Sequence, residues 1–369
     1  MKDSRIYFDY NASSLIRPES VDSVNKVLRS YGNPSSVHKE GRSMRTLIED
    51  SREKISNSLS TSSDNIIFTS GGTEAIDIAL NQNPGRIIIN STEHIAVFES
   101  AKLLNCNVDI LDVDKNGLIR VDLLESLLKK GPALVCVMYA NNETGVIQPI
   151  EEISKIVKSY NGILFCDAVQ AFGKVDISFD QLGIDLMAIS AHKIGGFSGS
   201  GALVLNNKIS DLIPKVSGGG QEFGLRGGTE NLLGIISFGE CASVIKDMAD
   251  ERNRIKELIK LLEDNLSSLG ANIFGYNVNR LPNTSLFSFE DFKAESLLMR
   301  LDLAGFSVSS GSACSSGKVK VSHVLKAMNI SESMQKGAIR VSLGWGSSKE
   351  QVESFISFFE NIFNKKVKE

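Results

Sequence analysis

Leu186-Met187-Ala188-Ile189-Ser190-Ala191-His192-Lys193 is an apolar run ended by a hydroxyl, an imidazole and an amine, and Gly195-Gly196-Phe197-Ser198-Gly199-Ser200-Gly201 follows it. An apolar run without polar alternation reads as a strand buried on both faces. The pattern recurs at 66–69, 86–90, 108–111, 133–139, 163–167 and 202–205. Helical stretches are expected between these runs, beginning near Thr73, His94, Val121 and Glu151. Buried strands alternating with helices indicate an α/β fold with a mostly parallel sheet covered on both faces. Functional groups in such sheets gather at the carboxyl ends of the strands.

Before the first of these strands, Ile6-Tyr7-Phe8-Asp9 reads as a short strand. A helix is expected over 20–31, stopping at Gly32, and a long amphipathic helix over 39–59. After the last strand, the Gly-rich stretch 216–231 contains Gln221, Arg226 and Thr229 and leads into a helical region over 231–269. Composition changes near Gly270, which marks a smaller α+β unit with strands at 285–289 and 338–343. Its helices are expected at 294–304, 323–328 and 348–365, the last opened by Ser348 and Gln351 at capping-box spacing. The expected division is a large domain of residues 15–260, with 1–14 and 261–369 forming the small one.

The chain has 369 residues, 42% of them hydrophobic, enough for one large core and a smaller one. Its net charge of −4 argues against a general nucleic-acid binder. No apolar run approaches the roughly 18 residues that would span a membrane. The first residues contain no apolar signal segment, so a cytoplasmic location is expected. Five cysteines without a Cys-x-x-Cys pair fit neither a disulfide framework nor a zinc site, and no metal is expected. Cys136 and Cys166 fall inside strands and Cys106 and Cys241 beside apolar helical segments, so all four read as buried and inert. Cys314 lies in Ser309-Ser310-Gly311-Ser312-Ala313-Cys314-Ser315-Ser316-Gly317, a run of small residues that buries a thiol poorly.

Candidate functional groups stand at the strand ends. Lys193 is placed as an amine must be to hold an aldehyde cofactor, which requires it neutral and so lowered from a pKa of about 10.4. Alone, the stretch also fits a solvated lysine in a glycine loop. Ser70-Gly71-Gly72-Thr73-Glu74 is a small-residue turn opening a helix, where free N–H groups bind anions. Glu93-His94 and Asn141-Asn142-Glu143 follow their strands in the same way. Asp167, with Gln170 three residues on, ends four apolar residues and would need a cationic partner if buried; a protonated pyridine nitrogen is one, and a helix-capping role is the other reading.

Taken in order, Gly72-Thr73, His94, Asn142, Asp167-x-x-Gln170, Ser190-x-His192-Lys193, the Cys314 run and Ile339-Arg340-Val341-Ser342 resemble the cysteine desulfurases of the aminotransferase class-V group. The Ser-Ser-Gly-Ser-Ala-Cys loop is similar to that of the branch with a long, mobile cysteine loop. The resemblance implies pyridoxal-phosphate fold type I, with a mostly parallel seven-stranded sheet flanked by helices and a smaller α+β C-terminal domain that carries the cysteine loop. It implies that Lys193 holds pyridoxal 5′-phosphate as a Schiff base and later moves the substrate Cα proton. His94 would stack on the ring and act in acid–base steps, Asp167 would pair with the ring nitrogen, and Gln170 would bond the phenolic oxygen. Gly72, Thr73, Ser190 and His192 would hold the phosphate, joined by Thr229 from the second subunit of a homodimer. Asn142 would lie near cofactor and substrate, and Arg340 would clamp the carboxylate of L-cysteine. Cys314 would take the sulfur as a persulfide, L-alanine would leave, and a sulfur-acceptor protein such as an iron–sulfur scaffold would receive it.

Three rivals share parts of this pattern. A selenocysteine lyase would not need Cys314 for its selenium substrate. An aminotransferase on the same fold would have no use for a cysteine in a Gly/Ser loop. A cofactor-retaining protein without activity should show gaps in the set of Lys193, Asp167, His94, Cys314 and Arg340.

Overall fold

The computed structural model describes residues 5–206, 212–290, 292–311 and 321–366. The chain opens with β1 (Ile6–Tyr7), α1 (Pro18–Val27) and α2 (Lys39–Leu59). The sheet region follows as β2 (Ile66–Thr69), α3 (Gly72–Leu80), β3 (Arg86–Asn90), α4 (Ile95–Lys102), β4 (Asn107–Leu111), α5 (Val121–Leu128) and β5 (Leu134–Met138). It continues with α6 (Ile150–Ser159), β6 (Ile163–Asp167), α7 (Phe179–Leu182), β7 (Leu186–Ser190) and β8 (Gly201–Leu205). Next come α8 (Leu232–Ile245), α9 (Ala249–Ser268), β9 (Asn272–Ile273), β10 (Thr284–Ser288), α10 (Ala294–Leu303), β11 (Phe306–Ser307) and β12 (Ser309–Ser310). The last elements are α11 (His323–Ala327), α12 (Glu332–Lys336), β13 (Ile339–Ser342) and α13 (Lys349–Lys366).

The central sheet has seven strands in the order β2-β8-β7-β6-β5-β3-β4. Pairings from β4 through β7 are parallel, and β8 is antiparallel to both β7 and β2. The mostly parallel α/β sheet expected from the strand runs is therefore the one observed. Each central strand feeds two cores. In β5, Val135 and Val137 pack with α2 and α8 residues such as Ile55 and Phe238, while Leu134 and Cys136 face the α3 and α4 side with Ile76 and Val97. Burial on both faces is the reason these strands show no polar alternation.

Two helical expectations need correction. The first helix begins at Pro18, whose fixed φ suits the first helical position, and ends at Val27 instead of residue 31. There the Ser30 amide donates to the Val27 carbonyl at 2.9 Å and closes a turn. The region over 231–269 is two helices, because the Asp247 and Met248 amides turn back onto Val244 and Ile245 and end α8.

A four-stranded sheet, β12-β13-β10-β9, forms the second layer system, with β1 paired in parallel to β11 beside it. Its core joins Phe287 of β10 and Phe289 just beyond it to Phe355 and Phe359 of α13 and to Ile255, Leu258 and Leu262 of α9. Thus α9, which spans residue 260, gives its apolar face to this second core. Among the described residues no helix is long and apolar enough to cross a membrane.

A buried ion pair fixes the Gly-rich crossover. Arg52 of α2 donates to both Glu222 carboxylate oxygens at 2.8 Å and to the Ile66 carbonyl, and Glu222 also accepts the Phe68 amide at 2.7 Å. Both side chains are almost fully buried. Replacing Glu222 by Ala leaves the buried guanidinium with only the half-exposed Glu49, 3.0 Å away, as counter-charge, so we expect a loss toward the lower end of about 3–5 kcal/mol. A lowered midpoint of thermal unfolding for Glu222→Ala, measured against a surface control such as Glu332→Ala, checks this.

Candidate active site

Gly72, Thr73, His94, Asn142, Asp167, Gln170, Ser190, His192, Lys193 and Arg340 line one cleft of about 440 Å³. They arrive there because β2, β3, β5, β6 and β7 end on one edge of the sheet, while β13 brings Arg340 from the smaller one. Two expected residues are not among them. Thr229 is exposed beside a separate small pocket with Ser70 and Arg226, and Cys314 lies outside the described residues.

Lys193 sits on a single 3-10 turn, Ala191–Lys193, at the end of β7. Gly195 closes that turn with φ +96°, and a Cβ there would stand 2.5 Å from Arg17 Cγ, so only glycine fits. The N-terminal segment runs along this turn, with the Ser14 and Arg17 amides donating to the His192 and Gly195 carbonyls at 2.9 Å. That register puts the carbonyls of Asn11 and Ala12 at 2.7 and 2.8 Å from Lys193 Nζ. Burial and then the Arg340 charge lower the amine to about 8, against the opposing pull of Asp167 and Asp9. His192 is lowered to about 4 by burial and the charges of Lys193 and Lys174, so its ring is neutral at pH 7.

Asp167 is buried at the end of β6, where its carboxylate accepts the Val169 amide at 3.0 Å. Among the described residues no cationic side chain bonds it. Burial raises its pKa, opposed by the Val169 bond and by His94 and Lys193. Behind it, Glu93 is fully buried and accepts the Met138 amide and Asn90 Nδ2, while its second oxygen has no hydrogen-bond partner among the described residues. Burial and the charge of Asp167 push Glu93 to about 8.

His94 caps α4: its Nδ1 accepts the Ala96 amide at 3.2 Å. An amide can only donate, so the neutral ring carries its proton on Nε2. Burial lowers its pKa, with Lys193 and His323 acting in the same sense and Asp167 against. Arg340 Nη2 bonds Asp9 Oδ1 at 2.8 Å and Nη1 bonds the Asn142 carbonyl at 3.0 Å, while its buried Nε has no partner among the described residues. Asp9 is held from its other side by Ser309 Oγ at 2.8 Å. At the start of α3, Gly72 packs so that a Cβ would lie 2.7 Å from Val169 Cγ2.

Sequence reasoning overlooked Asp9, Asn11 and Lys174, and gave Glu93, which it placed beside His94, no role of its own. Asp9 and Asn11 carried one signal, a polar pair directly after a short apolar strand. Lys174 had another, its place four residues after Gln170.

The chain matches the aminotransferase class-V family over residues 6–355. It is 41% identical to the cysteine desulfurase IscS of Dictyoglomus turgidum, with 98% of this chain and 95% of that protein aligned. Identity to the cysteine desulfurase IscS 1 of Archaeoglobus fulgidus is 34%, over 97% of each. A solved structure of a NifS-like protein from Rickettsia africae superposes with a TM-score of 0.92 at 36% identity, covering 98% of this chain and 99% of that one. The fold and the cleft define a class-V aminotransferase of fold type I, a group whose members depend in general on pyridoxal phosphate. Within it, the chain belongs to the cysteine desulfurase family.

Only a neutral amine acylates, so the reactivity of Lys193 reports its titration. Competitive labelling with acetic anhydride, read by mass spectrometry of the Lys193 peptide, should give a midpoint near 8. An exposed lysine should titrate near the ordinary value of about 10.4.

Proposed function

We propose that this chain converts L-cysteine to L-alanine with pyridoxal phosphate and takes the sulfur as a persulfide on Cys314, a sulfurtransferase reaction. The observation that carries this is a buried carboxylate, Asp167, with no cation bonded to it among the described residues, in the same cleft as a lysine lowered to about 8. A protonated pyridine that also bears an aldehyde answers both groups at once, so the residues present fit the cofactor.

Bound there, the cofactor would supply an anchor for the substrate amine and an electron sink for the charge left when the Cα proton departs. Lys193 would hold it through Nζ and, once released, carry the Cα proton; roughly a tenth of an amine titrating near 8 is neutral at pH 7. Asp167 would meet the ring nitrogen's proton. His94 would stack on the ring and present its Nε2 proton toward the substrate. Gln170 would donate to the phenolic oxygen. Gly72, Thr73, Ser190 and His192 would bind phosphate, the neutral His192 as a donor, with the partner subunit's Thr229 completing the set in a homodimer. Asn142 would border cofactor and substrate. Arg340, oriented by Asp9 and the Asn142 carbonyl, would offer its unpartnered Nε and remaining N–H groups to the substrate carboxylate.

The Cys314 thiolate would attack the substrate sulfur, forming the S–S bond as the C–S bond breaks and leaving the electron pair on carbon. Protonation of that product gives L-alanine. The persulfide then passes to an acceptor, for which an iron–sulfur scaffold protein is our choice, in the cytoplasm. In domain terms, residues 15–260 would bind the cofactor, and 1–14 with 261–369 would carry the cysteine segment.

Alanine and sulfide release from L-cysteine with reductant tests the reaction. Wild type should be yellow and form both products, Cys314→Ala should keep the colour and lose turnover, and Lys193→Ala should lose covalent cofactor and turnover. Normal turnover of cysteine by Cys314→Ala would remove the persulfide step and favour a lyase or an aminotransferase. Lysine lacks the planar fork of arginine, so Arg340→Lys should raise KM for L-cysteine about tenfold or more, with a smaller change in kcat.

A further inference from the structure

Beneath the cleft lies a second lysine. Lys174 Nζ is 2.5 Å from Gln170 Oε1 and 2.8 Å from Asn11 Oδ1. Among the described residues no carboxylate is bonded to it. Burial and the charges of Lys193 and Arg340 hold its amine well below the ordinary lysine range. A lysine in such surroundings is costly unless its donors are used, and here both acceptors are carboxamide oxygens.

The orientation of both amides is fixed by chemistry. Gln170 Nε2 lies 2.8 Å from the Asn11 carbonyl, which can only accept, so the Gln170 nitrogen faces it and the oxygen faces Lys174. Asn11 Nδ2 likewise reaches the Asn142 carbonyl and Thr284 Oγ1, which turns its oxygen toward Lys174 and Asn283. The Asn11 carbonyl that receives Gln170 also receives Lys193 Nζ. Gln170 Nε2 carries two hydrogens, and its only protein acceptor among the described residues is that carbonyl. The second hydrogen is available to the cleft, which Gln170 lines.

We propose that Lys174 is a positioning residue that locks the carboxamides of Gln170 and Asn11, so that one Gln170 N–H is aimed at the cofactor's phenolic oxygen. The inference rests on the proposed cofactor site and concerns a residue that does not itself line the cleft. With Lys174 removed, among the described residues only the Asn11 carbonyl still holds the Gln170 carboxamide, which is then free to swing about that one bond and lose its aim at the ring oxygen.

The test uses reconstituted holoenzyme and follows the visible absorption band against pH, beside circular dichroism and cofactor retention. Gln170→Ala should move the midpoint of that titration by about 0.5–1 pH unit, the size that a single hydrogen bond commands. Lys174→Met should move it in the same direction, and the double variant should move it no further. Lys174→Arg keeps two donors and should lie between Lys174→Met and wild type. A Lys174→Met titration that overlays wild type while Gln170→Ala shifts, or shifts that simply add in the double variant, would overturn the proposal. If Lys174→Met fails to fold, Lys174→Gln is titrated in its place against the same criteria. Failure of wild type to take up pyridoxal phosphate would instead sink the underlying cofactor reading.

Discussion

An amine that has to react as a neutral nucleophile cannot be given a carboxylate partner, and the active-site cleft is arranged around that constraint. A contacting carboxylate would raise the pKa of Lys193, whereas carbonyl oxygens hold the group in place with partial charges only. Lys193 rests on the carbonyls of Asn11 and Ala12. The two carboxylates nearby are directed elsewhere. Asp9 is spent on Arg340 and Ser309, and Asp167 is fixed by a backbone amide. Among the described residues lining the cleft, Arg340 is in an ion pair and Lys193 is not, and Lys193 stays near 8.

The segment that supplies those carbonyls also joins the two sheets. β1 pairs with β11, Asp9 bridges to Ser342, and the Asn11 amide donates to Ser342 Oγ at 2.9 Å. A few residues later the same backbone is bonded to His192 and Gly195. Displacing β13, which carries Arg340, therefore strains the contacts that position Lys193. Arg340 and Lys193 are thus tied together through one short stretch of main chain, which in the proposed reaction would couple carboxylate binding to the lysine.

The sequence made the strands legible because burial on two faces removes polar residues altogether, and 66–69 and 163–167 match the observed limits. Helix ends were less readable: nothing in Leu28-Arg29-Ser30-Tyr31 breaks a helix as Gly32 does, yet α1 stops at Val27 because a local turn closes there. Of the cleft, the residues at strand ends were readable, since a polar group after an apolar run has few structural reasons to be there. Asp9, Asn11 and Lys174 were not. Their roles come from pairings between positions more than 150 residues apart, as between Asn11 and Lys174 or Asp9 and Arg340, and no local pattern encodes such a pairing.

Burial also decides which thiols stay silent. The Cys136 and Cys166 thiols are driven well above the ordinary range by full burial, Cys241 is pushed to about 12, and Cys106 is raised as well. A thiol is nucleophilic as its thiolate, so at neutral pH the buried Cys136, Cys166 and Cys241 remain protonated and unreactive, whereas Cys106, expected to be buried, is only partly so. Glu93 obeys the same electrostatics: two buried carboxyls this close cannot both ionise, and the proton stays on Glu93, whose pKa is about 8. Asp167 is raised as well by burial, but there the Val169 amide, His94 and Lys193 oppose the shift. The same low-dielectric interior thus holds down the ionisation of Glu93 and of the buried thiols behind the cleft, while the Asp167 carboxyl lines the cleft where a cationic ring would sit.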